Sequence, residues 1–521
     1  MTYFSDETIR QRLERRARED ANLLFCQYED EKIYYGDLDK NVNRVANGLL
    51  NLGIKPGERI SLMLSNHPDY IYLILACAKT GIIYIPLNTS LRGPSLDLLL
   101  QLADSRVLIV DAVFKDVIRD SFKRTGDTGI EMIITRGGAD FKDLGGFRQI
   151  TFETAFSDAS VNVPDVPGPE PDDVLTISFT SGTTGVPKGV PLTDRMWHCA
   201  GHGVAVLAAV EKGDVMIMWE QLLHIGGAQM LYTSLFYGTS IALLSKFSAS
   251  RFWDQVRRYK ATRMHYLGGV LQILLKQPPK PNDKDNTIKI AWGAACTPEI
   301  WDEFSERFDV EIHECYGMSE NSSVTTVNLD GVVGSCGKPL PYFDVRLADN
   351  GKILGPGKMG EFQVKGKIPG LVIKEYFRNE EATAKSFTED GWFCTGDLGM
   401  RDEAGYYYFK GRTKESVRHK GENISAWEVE RVVNDHPDVE ESALVGVASE
   451  LDEDLKIFIK LVPGAKKNPS AIAQWLEPRM PKYQLPRYFA FTDSFDKTQT
   501  ERIKKASLSR SIDDCWDRLA K

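Results

Sequence analysis

Apolar and polar positions along this chain alternate between strand-like and helix-like patterns. ERISLML (58–64) is a short apolar run of strand length, PDYIYLILACAKTG (68–81) is apolar over the length of a helix, and IIYIPLN (82–88) is strand-like again. Pro68 at the first helical turn and Gly81 after the last match the asymmetric chemistry of helix ends. A second unit repeats the order: TIKIAWGAA, then TPEIWDEFSERF with Thr297 placed to cap the helix ahead of Pro298, then VEIHECYG. Strand–helix–strand units of this kind predict parallel sheets covered by helices on both faces. The longest apolar region, YIYLILACAKTGIIYIPL, is interrupted by Lys79, Gly81 and Pro86, so it reads as a buried helix and strand, with no integral membrane segment.

The pattern changes between about 330 and 411, where GKPLPYFDVRLADNGKILGPGKMGEFQVKG breaks into short strands at Gly, Pro and Asn turns. Beyond GYYYFKGRTKE the chain becomes a smaller mixed unit, with ESALVGVAS and RYFAFTD as strands and AIAQWLEPRM as a helix. The expected fold is therefore α/β. A large N-terminal domain, 1–411, ends in the β-rich module, and a smaller α+β domain spans 412–521.

Composition narrows the function class. The chain has 521 residues, 42% hydrophobic and 26% charged, which excludes fibrous, disordered and disulfide-scaffold classes. A net charge of −9 gives no general pull toward nucleic acid or anionic lipid, so any anionic ligand needs a local site. The eight cysteines are scattered without a CxxC pair, as for reduced thiols in the cytoplasm, and MTYFSDETIRQRLERRARED lacks the apolar stretch of a secretion signal.

The most informative segment is TSGTTGVPKGV (180–190), directly behind the apolar strand VLTISF. A strand running into glycine and hydroxyl residues makes a loop of exposed N–H groups able to surround phosphate oxygens, and Lys188 adds a point charge. A Walker A loop starting at Gly182 would need glycine where Pro187 stands, so this is another kind of phosphate loop. The segment resembles the signature of the adenylate-forming superfamily of acyl-CoA synthetases, peptide-synthetase adenylation domains and firefly luciferase. Further motifs of that family follow in order over nearly the whole chain. The resemblance implies that Thr180, Ser181, Gly182, Thr183, Thr184, Gly185 and Lys188 face the phosphates of ATP.

GAA (293–295) and ECYGMSE (314–320) lie just beyond predicted strands, where ligands of open α/β sheets sit. Small residues at Gly293, Ala294 and Ala295 let a flat base approach the backbone, and Tyr316 can stack on its other face. A carboxylate at Glu320 near phosphates makes sense through a hard cation, Mg²⁺. By resemblance, Glu314 and Gly317 belong to the same nucleotide site, and Ser319 bonds the α-phosphate where the family usually has threonine. The same resemblance implies that His224 in LLHIGG, with Trp292 and Met318, borders the acyl pocket. In GWFCTGDLG (391–399), Asp397 matches the aspartate that bonds both ribose hydroxyls, a natural bidentate acceptor for a cis-diol. In GRTKESVRHKGENIS, Arg412 matches an arginine reaching the ribose, Lys414 the hinge of a mobile small domain, and Gly421 the pantetheine tunnel.

These likenesses imply a two-step ligase. A carboxylate attacks the ATP α-phosphate to give acyl-AMP and pyrophosphate, and coenzyme A then displaces AMP, with Mg²⁺ as cofactor. SASRFWDQVRRYKAT, QPPKPND and IPGLVIKEYFRNEEATAK resemble the carnitine/crotonobetaine-CoA ligase branch. A betaine would need an aromatic cage or an acid. HIGG offers no acid directly after the gate, although Trp219 and Trp292 could supply rings. A short or medium-chain or alicyclic acid is therefore the preferred substrate, a betaine the second. The alternatives are an adenylate-forming enzyme with another acceptor, such as a carrier protein, and a nucleotide-binding protein without turnover. The sequence assigns no oligomeric state.

Two positions depart from the family pattern. Asp194 stands where a histidine is usual, with little effect expected. DKTQTERIKK places Arg502 where the family lysine bridges carboxylate and α-phosphate, with Glu501 replacing glycine, and Arg is not a conservative substitute for Lys. Arg502, or else Lys504 or Lys505, is expected to supply that charge. Arg502→Ala should therefore lose adenylation yet still convert preformed acyl-AMP with coenzyme A; normal pyrophosphate exchange in that variant rejects the assignment.

Overall fold

A computed structural model describes residues 6–126, 129–141, 144, 146–180, 187–413, 416–419, 422–449, 453–497 and 503–520. The chain forms two compact units, 1–345 with 364–393, and 346–363 with 394–521.

The first unit contains two large sheets. One has nine strands, with Val215–Met218, Arg263–Leu267, Ile290–Ala294 and Glu311–Tyr316 paired in parallel and antiparallel strands at its edges. The other has seven and is parallel except where Val174–Thr180 turns back antiparallel into Lys188–Thr193. The predicted strand–helix–strand units appear as Arg59–Met63, Pro68–Thr80 and Ile83–Pro86, and as Ile290–Ala294, Pro298–Phe308 and Glu311–Tyr316.

Helix Pro68–Thr80 is apolar all round because it is buried all round; only Asp69 reaches the half-buried class. Burying each large apolar side chain contributes roughly 1.5–3 kcal/mol before the entropy of ordering is subtracted. Its one cation, Lys79, is fully enclosed and bonds Asp39 at 2.6 Å and Asn43 at 2.7 Å, which offsets the desolvation of the ammonium. Gly81 closes the helix at φ +73°, a left-handed position that glycine reaches without a Cβ clash. Thr297 occupies the N-cap position of Pro298–Phe308, but its side chain makes no capping hydrogen bond there.

The second unit includes a five-stranded sheet with Phe393–Arg401 beside Tyr407–Arg412. It also holds a four-stranded sheet built on the long hairpin Val439–Ala448 and Glu453–Leu461. Helices Ala426–Asn434 and Pro469–Leu476 cover a separate core of Val429, Val433, Leu444, Ile457, Ile472 and Phe489. Compactness thus does not divide the chain at Arg412. Strand Tyr407–Arg412 bonds to its antiparallel neighbour and packs Phe409 against Trp427, so the strands before Arg412 group with the residues after it.

Asp194, expected to matter little, clamps the N-terminus of the chain. It opens helix Asp194–Leu207, and its carboxylate accepts from the Ile9 N–H at 3.0 Å, at the start of helix Ile9–Glu19. Burial pushes this carboxyl up to about 7, against the Ile9 hydrogen bond and Arg195, which favour the charged form. A folded-state pKa above the unfolded one means the native state binds the proton more tightly. This group's stability contribution is therefore present at acid pH and lost as pH rises toward 7. Asp194→Asn keeps a carbonyl acceptor without the charge. Its melting temperature should exceed the parent's by roughly 2 °C or more at pH 8, with the gap narrowing below about pH 7 and closing only at about pH 4. A gap that does not vary with pH in parallel thermal melts would show that Asp194 does not titrate.

Candidate functional site

The carboxyl ends of three parallel strands place the chemistry-bearing segments of the first unit side by side. His265 pairs with Trp292 and Tyr266 with Gly293, while Gly293 pairs with Glu314 on the other side. Glu314 does not project outward as a ligand-binding acid. Its carboxylate is buried, accepts from Ala295 N–H at 2.5 Å and Cys296 N–H at 3.0 Å, and takes the Tyr266 hydroxyl. It holds the turn that follows the strand. Burial pushes the Glu314 carboxyl up to about 8, the three donors opposing.

That turn places Ala295 at φ +69°, a left-handed conformation that costs a residue with a Cβ energy and persists only where surroundings enforce it. Ala294 and Ala295 are the open part of the small-residue run. Gly293 is small for another reason than the one expected. A Cβ there would stand 1.9 Å from the Tyr266 carbonyl oxygen, so the neighbouring strand, not a flat ligand, demands glycine. Tyr316 is buried at the end of its strand, and Gly317 and Met318 lead into the 3₁₀ turn Ser319–Asn321.

Glu320 lies in that turn, 4% exposed, with its Oε1 accepting from the Tyr376 hydroxyl at 3.0 Å. Lys188 begins the strand Lys188–Thr193 opposite Thr180, and its ammonium stands 4.4 Å from the centroid of the same Tyr376 ring. The structure thus brings Lys188 and Glu320 onto one tyrosine that sequence reasoning did not single out. Its segment, IKEYFRNEEATAK, carried only a branch resemblance. Among the described residues no group of three or more His, Cys, Asp or Glu could hold a metal. The Glu320 carboxylate suits Mg²⁺, which binds through one or two carboxylates and fills its shell with phosphate oxygens and water. Ser181, Gly182, Thr183, Thr184 and Gly185 lie outside the described residues, as do Lys414, Gly421 and Arg502.

In the second unit, Asp397 and Arg412 are direct cross-strand partners, Nε to Oδ1 at 3.0 Å. Glu361 accepts from Gly396 N–H at 2.8 Å, and burial raises its carboxyl, with Asp397 adding to the rise. Of the two lysines named beside Arg502, Lys505 is tied to Glu430 at 2.7 Å.

The expected acyl-pocket residues fall differently. His224 sits at the N-cap position of helix Ile225–Tyr237, half-buried, its pKa lowered by burial with Glu220 opposing, so the ring is neutral at pH 7. Met318 is partly buried against the main core. Trp292 is core: 1% exposed, its ring 4.5 Å from His265. Trp219 stacks on His265 as well and donates to its carbonyl at 2.7 Å, so the two tryptophans enclose a histidine and make no cage. The acid absent after His224 stands before it. Glu220 is buried 3.0 Å from His265 Nδ1 and packs against Gly226 in the first turn of the helix. Burial is the largest influence and works to raise its carboxyl, but the combined effect of His265 and His224 leaves it lowered.

Residues 13–377 match the AMP-binding enzyme family, and residues 428–502 match the AMP-binding enzyme C-terminal domain. The chain is 30% identical to a crotonobetaine/carnitine–CoA ligase of Salmonella agona (strain SL483), over 93% of this chain and 95% of that one. Among solved structures, ATP-bound MatB from Rhodopseudomonas palustris is similar at 27% identity and a TM-score of 0.84, covering 96% of this chain and 98% of that one. O-succinylbenzoate coenzyme A synthetase from Bacillus subtilis, in complex with ATP and magnesium ion, is similar at 25% identity and a TM-score of 0.82, over 95% and 98%. A family match over more than half the chain, motifs in family order and an α/β unit followed by a small α+β unit agree: the chain belongs to the adenylate-forming AMP-binding enzymes, among the AMP-forming CoA ligases.

Proposed function

We propose that this protein is an ATP-dependent acid–thiol ligase that joins a compact carboxylic acid to coenzyme A through an acyl-AMP intermediate. The observation that carries the reading is the pairing of Lys188 and Glu320 on Tyr376, a cation and an anion held at one place beside the phosphate-loop hairpin. A magnesium ion bound at Glu320 would neutralise phosphate charge and orient the phosphate oxygens.

The residues' own tasks are positional. The acid is already a nucleophile at pH 7, so no general base is required, and the barrier falls through alignment and charge stabilisation. Lys188 places a positive charge where negative charge grows on the phosphoryl oxygens. Ser319 offers a hydroxyl to the α-phosphate. Ala294 and Ala295 give the adenine a flat edge, held in shape by Glu314. Asp397 accepts from the ribose diol, its carboxylate oriented by Arg412. Arg502 supplies charge in the adenylation step and Lys414 acts as the hinge before thiol attack, with Gly421 lining the pantetheine path.

For the acyl group, a neutral short or medium-chain or alicyclic acid is preferred over a betaine. The two candidate cage rings are both spent on His265, and the only acid near His224 in this stretch, Glu220, already has a histidine partner. The relatives named for crotonobetaine and carnitine keep the betaine as the second candidate.

AMP release measured with and without coenzyme A over a panel of carboxylic acids tests the reading. Coenzyme A-dependent AMP from one acid class is the expected result. Acyl-AMP that forms but is turned over only by a carrier protein would move the acceptor, and no AMP from any acid would reject the ligase. Glu314→Gln weakens one of the bonds that hold the Ala295 turn, so KM for ATP should rise about tenfold with a smaller change in kcat. An unchanged KM would show that the turn does not touch the nucleotide.

A further inference from the structure

Residues 373–377 form a strap across the two segments that carry Glu320 and Lys188. At one end the Ile373 N–H donates to the Glu320 carbonyl at 2.8 Å; at the other the Phe377 N–H donates to the carbonyl of Gly189, next to Lys188, also at 2.8 Å. Gly189 and Phe377 make an isolated antiparallel bridge. Tyr376 lies within this strap, its own N–H donating to Thr383 Oγ1 at 3.0 Å, so its backbone is set from both sides. Its side chain is buried in the main core and reaches both charged groups through different chemistry. The hydroxyl donates to Glu320 Oε1, and the ring face receives the Lys188 ammonium.

A hydroxyl donating to a carboxylate fixes how that carboxylate is oriented toward a cation. Partners of this kind behind a metal ligand alter metal affinity 10–100-fold. A ring face within about 6 Å of an ammonium attracts it through the ring quadrupole and limits where a flexible lysine points. We propose that Tyr376 is a positioning residue that sets Glu320 and Lys188 together for the magnesium–triphosphate group. The strap makes the two settings interdependent, since moving it displaces both contacts. The proposal rests on the ligase reading above and adds a residue that acts through two others.

Calorimetric titration of ATP, with magnesium and with the metal removed by chelator, separates the two contacts in the full chain. Tyr376→Phe keeps the ring and removes the hydroxyl. It should bind metal-free ATP within about twofold of the parent, while the affinity gained on adding magnesium falls about tenfold. Tyr376→Leu removes both contacts and should also weaken metal-free ATP binding, by about fivefold. A phenylalanine variant that keeps the parent's magnesium gain overturns the proposal and leaves the ligase reading standing, whatever happens to its melting temperature. One that loses metal-free binding as fully as the leucine variant also overturns it, because the residue is then structural. A parent that binds no ATP under either condition overturns the ligase reading, and this proposal with it.

Discussion

Parallel pairing of Arg263–Leu267, Ile290–Ala294 and Glu311–Tyr316 is the constraint on which the first unit's chemistry depends. Strands that run the same way end at the same edge, so whatever follows each strand in sequence meets at one line. Ala294 and Ala295 arrive there after one strand, and Met318, Ser319 and Glu320 after the next. The register is tight because glycine at 293 lies against the Tyr266 backbone, and any larger residue would push the strands apart.

Charge burial is the second organising force. A carboxylate taken out of water must find donors or give up its charge. Glu314 finds two backbone N–H groups and a tyrosine, and in doing so imposes a left-handed alanine on the turn. Glu320 finds Tyr376, and Glu220 finds His265. Asp194 finds the first turn of the N-terminal helix. In each case the acid shapes neighbouring backbone or rings, so these acids are structural supports as much as reactive groups. Glu314 illustrates the difference: it sits in a nucleotide motif, yet its oxygens are turned to the protein.

Motif order made the family legible. TSGTTGVPKGV, YGMSE and GDLG combine residue types with spacings that short polar loops do not produce by accident, and periodicity placed strands and helices around them. Lys188, Glu320, Asp397 and Arg412 became candidates that way, and the cross-strand pairing of the last two follows from the hairpin they share. Tyr376 was not identified, because it lies 56 residues from Glu320 in sequence and its chemistry exists only where the strap crosses both segments. Glu220 was missed because an acid was sought after His224. A helix start lets a residue four positions earlier reach the same turn.

The one-dimensional pattern therefore determined which groups are candidates for phosphate and ribose, since those depend on residue type and local spacing. It also determined the α/β class, which depends on hydrophobic period. Only the tertiary structure decided that the Glu314 carboxylate is turned inward to hold the backbone. It also decided that Trp292 packs in the core, and that one tyrosine serves both a lysine and a glutamate. Side-chain direction and burial arise from contacts between distant segments, and no local window of sequence encodes those.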